Sequence, residues 1–438
     1  GLTSLELAGD PGGRHTAYEY DRSGLLTSMS TPESSEVAYG YDAAGRLASI
    51  ATTMPSGVLA YSYERDAVGN ITAENGTRYS YDELNRLMSW YDPGTDATTA
   101  YSYDANYNLT SAVRDGQTER SFTFDAADRI SSPGYVYDDA GNMTAGGESG
   151  YAYDGANRLV SVADASTEET IATYAYDHLN RRISATEGTS TVYFHYDGAS
   201  PNVIAETGDT GDTIASYVYD AAGRLHSMMR DGETYYYHAN AHGDVVALTD
   251  ETGEAVNEYS YDPWGASTGA TETVANPYRY ASYRFDEATG LYYCWNRYYD
   301  TGTCRWITKD LYPGEAANPG TMNGYAYCLG NPVAWVDPSG LFVVLGVTIT
   351  VVGCLLAIPL AMILVGGAMT AIEIAAYIPV HDQFERCKDS ARRCAERTVA
   401  SKPDAWKAAD DLEKRLRREQ IAAMGPMLGS TFEFLSGF

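Results

Sequence analysis

Tyr39-Gly40-Tyr41-Asp42-Ala43-Ala44-Gly45-Arg46-Leu47 is one of twelve near-copies of a single phrase: tyrosine, any residue, tyrosine, aspartate, then glycine or asparagine ahead of Arg-Leu. Tyr18-Glu19-Tyr20-Asp21, Tyr79-Ser80-Tyr81-Asp82 and Tyr259-Ser260-Tyr261-Asp262 restate it. Two tyrosines one residue apart share one face of a strand, because strand side chains alternate. The aspartate bonds local backbone, and the glycine or asparagine accepts positive φ, so Asp-x-x-Gly or Asp-x-x-Asn predicts a turn. Arg-Leu or Asn-Met then begins a return strand. Each unit therefore predicts a β-hairpin.

Outward from that phrase, the leading aromatics fall at Tyr18, Tyr39, Tyr61, Tyr79, Tyr101, Phe122, Tyr135, Tyr151, Tyr174, Phe194, Tyr217, Tyr237 and Tyr259. Most steps are 18 to 23 residues, with two short ones around Tyr135. A unit of about 20 residues cannot bury a core alone and must stack on its copies. Few windows show helical spacing, and Gly recurs at each turn. The expectation is a mainly β chain, a spiral of stacked hairpins over residues 1–270. On this reading the Tyr-Asp pairs are architectural ladders rather than ligand sites.

A length of 438 residues predicts two or three domains, and a start at Gly1 rather than Met predicts further sequence upstream. The net charge of −29 lies entirely before Phe342; from there on Lys+Arg and Asp+Glu cancel at 11 each. So acidic a repeat region repels phosphates and anionic headgroups, which excludes nucleic acid as its partner. Of 38 tyrosines only Tyr377 lies beyond residue 341. The six cysteines all lie at or after Cys294 and show no zinc spacing. Cys294 and Cys304 are read either as a pair in an oxidising compartment or as free buried thiols. His238-x3-His242-Gly243-Asp244 is a weak metal pattern that core or surface histidines explain better. No cofactor, deaminase or phosphate-loop motif occurs.

From residue 271 the rhythm breaks. The text becomes Asn276-Pro277-Tyr278-Arg279-Tyr280, Phe285-Asp286-Glu287-Ala288-Thr289-Gly290-Leu291-Tyr292-Tyr293 and Asn296-Arg297-Tyr298-Tyr299-Asp300. Arg305-Trp306-Ile307-Thr308-Lys309-Asp310, Asn331-Pro332-Val333 and Asp337-Pro338-Ser339-Gly340-Leu341 follow. The repeats resemble the YD repeats of the Rhs family, which includes bacterial wall-associated proteins, the C component of insecticidal toxin complexes and animal teneurins. Residues 271–341 resemble the Rhs repeat-associated core. The resemblance implies a hollow β-shell that encloses a C-terminal toxin segment. It also implies self-cleavage just after an Asp-Pro-x-Gly-Leu signature by aspartyl-type chemistry, in which two carboxylates share one proton. Carried over, the catalytic residues are Asp337 and Asp310, and the cut falls between Leu341 and Phe342. Here the chain departs from the family's first Asp-Pro-x-Gly motif: it has Asp310-Leu311-Tyr312-Pro313-Gly314, which keeps the carboxylate and alters the turn that aims it. Asp286 and Asp300 are reserve candidates. Arg284, Arg297 and Arg305 are expected to pair with acidic strands rather than to act in catalysis.

After Leu341 the composition shifts. Phe342 to Ile372 is a run of 31 residues without a charge, and roughly 20 apolar residues span a bilayer as a helix. Residues 342–380 are expected to insert in a membrane as one anchor or a hairpin bent at Pro359 or Gly366-Gly367, and residues 381–438 to form a charged helical tail. The expected function is the C-terminal part of an Rhs-type toxin, secreted or at the cell surface. Its own tail is the cargo, a target membrane and an immunity protein are its partners, and no cofactor is required. The alternative is a surface adhesion or structural protein anchored by a single transmembrane helix.

Overall fold

The computed structural model describes residues 4–6, 15–31, 35–55, 57–220, 223–315, 318–341 and 343–345. Phe342, the expected membrane segment beyond Leu345 and the charged tail lie outside the described residues; at the start of that segment Val344–Leu345 is a strand. Within the described part there is no α-helix. The repeats form two antiparallel meanders in which each strand pairs with the next along the chain. One has twelve strands, from Ser4–Glu6 to Gln117–Ser121, and the other fourteen, from Val136–Tyr137 to Ser267–Glu272. The break between them falls where the aromatic steps shorten, and only the isolated bridge Phe124↔Ile130 lies in the gap.

One turn explains the rest. In Asp82-Glu83-Leu84-Asn85-Arg86, Asp82 Oδ1 accepts the N–H groups of Leu84 and Arg86 at 2.9 Å each. Asn85 takes the left-handed conformation at φ 61°. The register slips by one at Tyr81, so the hairpin closes through a bulge that adds twist. Asp82 Oδ2 receives Arg86 Nε at 2.7 Å, and Arg86 Nη1 reaches on to the carbonyl of Asp104 in the following turn at 2.8 Å. Arg46 and Arg158 reach forward in the same way. Arginine at the fifth place thus fastens one turn to the next.

The tyrosines divide the remaining work. The first ring of a pair is commonly buried (Tyr101, Tyr174, Tyr217), as is the leucine of Arg-Leu (Leu47, Leu87, Leu159), while the residue between the tyrosines faces out. The hydroxyl of the second donates to a carbonyl one strand back: Tyr41 to Leu26 at 2.7 Å, Tyr103 to Leu87 at 2.9 Å, Tyr176 to Leu159 at 2.7 Å and Tyr261 to Val245 at 2.9 Å. Phenylalanine would fill the space and leave that carbonyl unserved.

Residues 271–341 add a four-stranded sheet, Arg284–Asp286, Leu291–Cys294, Arg297–Asp300 and Arg305–Trp306, and the strand Trp335–Val336, which forms a two-stranded ribbon with Val344–Leu345. Their aromatic side chains join both hydrophobic clusters. Tyr299, Trp306 and Tyr327 pack with the first meander's Leu87 and Trp90, while Tyr298 and Ile307 pack with the second's Leu159 and Tyr174. Two buried ion pairs fix this core to the second meander: Arg182 with Asp286, and Arg284 with Glu206.

Three turns carry asparagine rather than arginine at the fifth place, and the core docks on all three. Asn70 and Asn108 each hold their own aspartate with one amide hydrogen and the following turn with the other. Their free carbonyls accept Asn331 Nδ2 at 2.9 Å and Asn323 Nδ2 at 2.7 Å. Around Asn142, Gly141 O receives the Tyr325 hydroxyl at 2.7 Å and Met143 N donates to Ile307 O at 2.9 Å. A guanidinium only donates, whereas an amide both donates and accepts. The asparagine side chains of Asn70 and Asn108 can therefore staple their own turns and accept from the core as well, which a guanidinium cannot.

Candidate active site

Asp337-Pro338-Ser339-Gly340-Leu341 is the repeat turn once more. Asp337 Oδ1 accepts Leu341 N–H at 3.0 Å, and Gly340 sits at φ 68°. A Cβ on Gly340 would lie 2.7 Å from Cys294 O, so glycine is required by space as well as by φ. The difference from most repeats lies at the fifth place. Leucine stands there instead of arginine, and Asp337 Oδ2 is left for a cation from elsewhere.

That cation is Arg297, on the strand Arg297–Asp300. Its Nη2 lies 3.0 Å from Asp337 Oδ2 and 2.9 Å from Asp310 Oδ2. Its Nη1 donates to Gly324 O at 3.2 Å, its Nε to Gly340 O, and its guanidinium lies 4.3 Å from the Trp306 ring centre. One guanidinium thus joins both candidate carboxylates to the backbone one residue before the expected cut. The cluster is shielded: the Asp337 side chain is 1% exposed, Arg297 6% and Asp310 14%. Asp337 N donates to the Tyr283 hydroxyl at 2.9 Å, which in turn contacts the Tyr327 hydroxyl at 3.1 Å.

Asp310 is aimed despite its altered motif. Its N–H donates to Gly324 O at 2.8 Å, and its Oδ1 accepts Tyr312 N–H at 2.8 Å. The hydrogen used belongs to residue 312, so leucine in place of proline at 311 leaves it intact. Burial pushes the Asp310 carboxyl above its ordinary range, with Arg297 pulling the other way. A cation shared by both carboxylates differs from the expected dyad, in which the two share a proton.

The other sequence candidates resolve differently. Asp286 is the partner of Arg182. Asp300 caps its own turn, accepting Gly302 N–H at 2.8 Å and the Thr303 hydroxyl at 2.7 Å. Arg284 pairs with strand acid Glu206 as expected. Arg305 instead donates to the Asp128 carbonyl and stacks on Phe124 and Tyr325. Arg297 corrects the expectation, since the carboxylates it holds are the candidate site itself. Cys294 and Cys304 are free and buried, so the paired reading fails: Cys304 turns to Arg120 at 3.3 Å, while Cys294 lies in the field of Asp337, and burial raises both thiols. Among the described residues no group of His, Cys, Asp and Glu is placed to hold a metal. His238 bonds Thr249 and His242 bonds Asp244, so the two histidines do not converge.

Comparison with known proteins bears on this arrangement. A teneurin YD-shell family model matches residues 65–333, and an RHS repeat model matches residues 20–59. The tRNA3(Ser)-specific nuclease WapA of Bacillus spizizenii is 34% identical over 272 residues, which is 60% of this chain and 12% of that protein. The double-stranded DNA deaminase toxin A of Burkholderia cenocepacia is 29% identical over 292 residues, 63% of this chain and 19% of that one. The chain therefore spans under a fifth of either relative. In the crystal structure of TcdB2-TccC3-Cdc42, a chain superposes with a TM-score of 0.64 at 21% identity, covering 77% of this chain and 20% of its own. That likeness is one of fold.

Proposed function

The chain belongs to the teneurin YD-shell family, and on that premise we propose that it is the shell and core of a polymorphic toxin, which cuts its own backbone between Leu341 and Phe342 and so releases the segment that follows. One observation carries the reading: Arg297 gathers Asp310, Asp337 and the Gly340 carbonyl at a single buried point. The printed names of the relatives add support. A nuclease and a deaminase share similarity with this one scaffold, as expected if the scaffold carries the chemistry of others and contributes none except on itself.

The cut is a hydrolysis. Water adds through oxygen to the Leu341 carbonyl carbon, the bond to the Phe342 nitrogen breaks, one carboxylate takes the water's proton, and the other delivers a proton to the departing nitrogen. Environments that push two carboxyls apart assign the roles. Asp310, raised by burial, is the proton donor. Asp337, held by the Leu341 N–H and Arg297, is the base. With Asp310 protonated, Arg297 remains as the partner of Asp337 and of the Gly340 carbonyl.

The test is intact mass and a denaturing gel of the full chain beside Asp337→Asn and Asp310→Asn. Asparagine keeps the turn's acceptor oxygen and removes the carboxylate. The proposal expects two fragments meeting at Leu341/Phe342 in the parent and one uncut chain in each variant. An uncut parent, folded by hydrogen exchange, sinks it and favours the surface-anchored protein instead. For the released segment the uncharged run Phe342 to Ile372 favours membrane insertion. Failure of purified tail to leak dye from anionic liposomes at any pH would dismiss that part alone.

A further inference from the structure

The turn Asn240-Ala241-His242-Gly243-Asp244 reverses the usual chemistry. Asn240 stands where the repeats have aspartate, its Oδ1 accepting the N–H groups of His242 and Asp244 at 3.0 Å each. The fifth place holds a carboxylate instead of a cation, with Asn240 Nδ2 donating to Asp244 Oδ2 at 2.8 Å. The inverted turn leaves Asp244 Oδ1 to grip the His242 ring. Nδ1 lies 2.7 Å away, and the same oxygen accepts Ala281 N–H at 2.8 Å. The other ring nitrogen, Nε2, lies 3.1 Å from the Trp335 carbonyl.

A carbonyl oxygen can only accept, so Nε2 carries a hydrogen. Both oxygens of Asp244 already accept N–H groups from Asn240 and Ala281, the pattern of a carboxylate, so Nδ1 carries one too. His242, buried and lying against the Tyr280 ring at 5.0 Å, is therefore an imidazolium. Trp335 belongs to the ribbon Trp335–Val336, which pairs with Val344–Leu345 beyond the cut, and it precedes Asp337 by two residues. From this geometry we propose that His242 is a positioning residue, whose doubly protonated ring tethers the Trp335 strand and so holds Asp337 in place, making the self-cleavage proposed above conditional on that proton.

The groups facing the ring agree on direction. Asp244 raises the imidazole against the effect of burial, and Glu74, from the strand Ile71–Glu74, adds a smaller push the same way. Tyr280 supplies a neutral ring face, and the Tyr63 hydroxyl accepts the Ala241 N–H. A group raised in the folded state loses its contribution as pH rises through its folded value. The tether therefore outlasts the ordinary imidazole range and fails as pH rises beyond it.

Two readouts on the full chain separate this inference from the reading it rests on. The first is hydrogen exchange of peptides covering residues 331–341, corrected for intrinsic rates, at neutral and alkaline pH in the uncut Asp337→Asn background. The second is the rate of fragment appearance on refolding from denaturant across the same pH range. Protection is expected to fall as pH rises with His242 present. With His242→Ala it is expected to be low throughout. With His242→Gln, whose amide donates to Trp335 O at any pH, it is expected to be restored and flat. Asp244→Asn should bring the transition down, and Glu74→Gln should keep it. The cleavage rate should fall along the same limb, with the limb absent in His242→Gln. Protection in the histidine-containing chain that ignores pH, or that falls equally in His242→Gln, overturns the inference. Absence of cleavage at every pH with the exchange pattern intact refutes the self-cleavage and leaves the tether standing.

Discussion

Replacing Arg182 by methionine should be among the most damaging single changes in the molecule. Arg182 and Asp286 have side chains 1% and 4% exposed, and two guanidinium nitrogens face the two carboxylate oxygens, one contact at 2.8 Å. The guanidinium lies 4.3 Å from the ring of Tyr293 and 4.9 Å from that of Tyr174. Methionine has nearly the right length for this aromatic slot, so the cavity term is small. What remains is a carboxylate stripped of its partner in a dry site, which costs about 3–5 kcal/mol, and the lost stacking adds about 1 kcal/mol. With a urea slope of about 3 kcal/mol per molar, a loss of about 5 kcal/mol lowers the midpoint by roughly 1.7 M. Urea titration followed by tryptophan fluorescence measures it. Arg182→Met with Asp286→Leu removes both charges and should recover most of the loss, because a buried pair gains little over apolar packing of the same volume. A single mutant within about 1 kcal/mol of the parent, or a double mutant no better than the worse single, would refute the claim that the orphaned charge is what destabilises.

Tyr103→Phe removes a hydroxyl that donates to Leu87 O and also contacts Gly330 O; a loss of about 1 kcal/mol is expected, with faster hydrogen exchange around residue 330 as the second readout. Burial, and next the charge of Asp244, push the Glu74 carboxyl up to about 7 from 4.5. The folded state thus holds that proton more tightly, and stability falls as pH rises through this window; Glu74→Gln should flatten the fall and stand above the parent at pH 8 in thermal melts. Asn108→Arg keeps the turn's aspartate staple but replaces the carbonyl that receives Asn323 with donors. A loss of about 2 kcal/mol is expected, whereas Arg86→Asn, which supplies a carbonyl, should cost less in the same titration.

The hairpins were legible because their chemistry is local. Two tyrosines, an aspartate and a left-handed residue lie within a few positions of one another, and their bonds stay within the hairpin or reach only the next one. Even the interruption near Tyr135 was visible as a change of step. The site was legible only in part. Asp337 announces itself through Pro338-Ser339-Gly340, a turn that needs glycine. Arg297 does not, because its partner is 40 residues away and nothing around it encodes that distance. Asp286 looked like a spare acid for the same reason, its arginine lying 104 residues earlier. His242 suggested weak metal chemistry from spacing alone; of its two partners Asp244 is two residues away in sequence, but the Trp335 carbonyl belongs to the backbone and leaves no mark there.

The three asparagine turns have a consequence for how such a chain can change. The core meets Met143 through Ile307, Asn108 through Asn323 and Asn70 through Asn331, so it runs back along the repeats as a key slides along its wards. A hairpin inserted or deleted ahead of Asp66 leaves the spacing of these three turns unchanged. The same hairpin inserted between Asn70 and Asn108 would leave every local bond satisfied, yet it would bring an arginine turn, which can only donate, opposite an asparagine that also needs to donate. The repeats look interchangeable, but between those two wards their number is fixed by the lock.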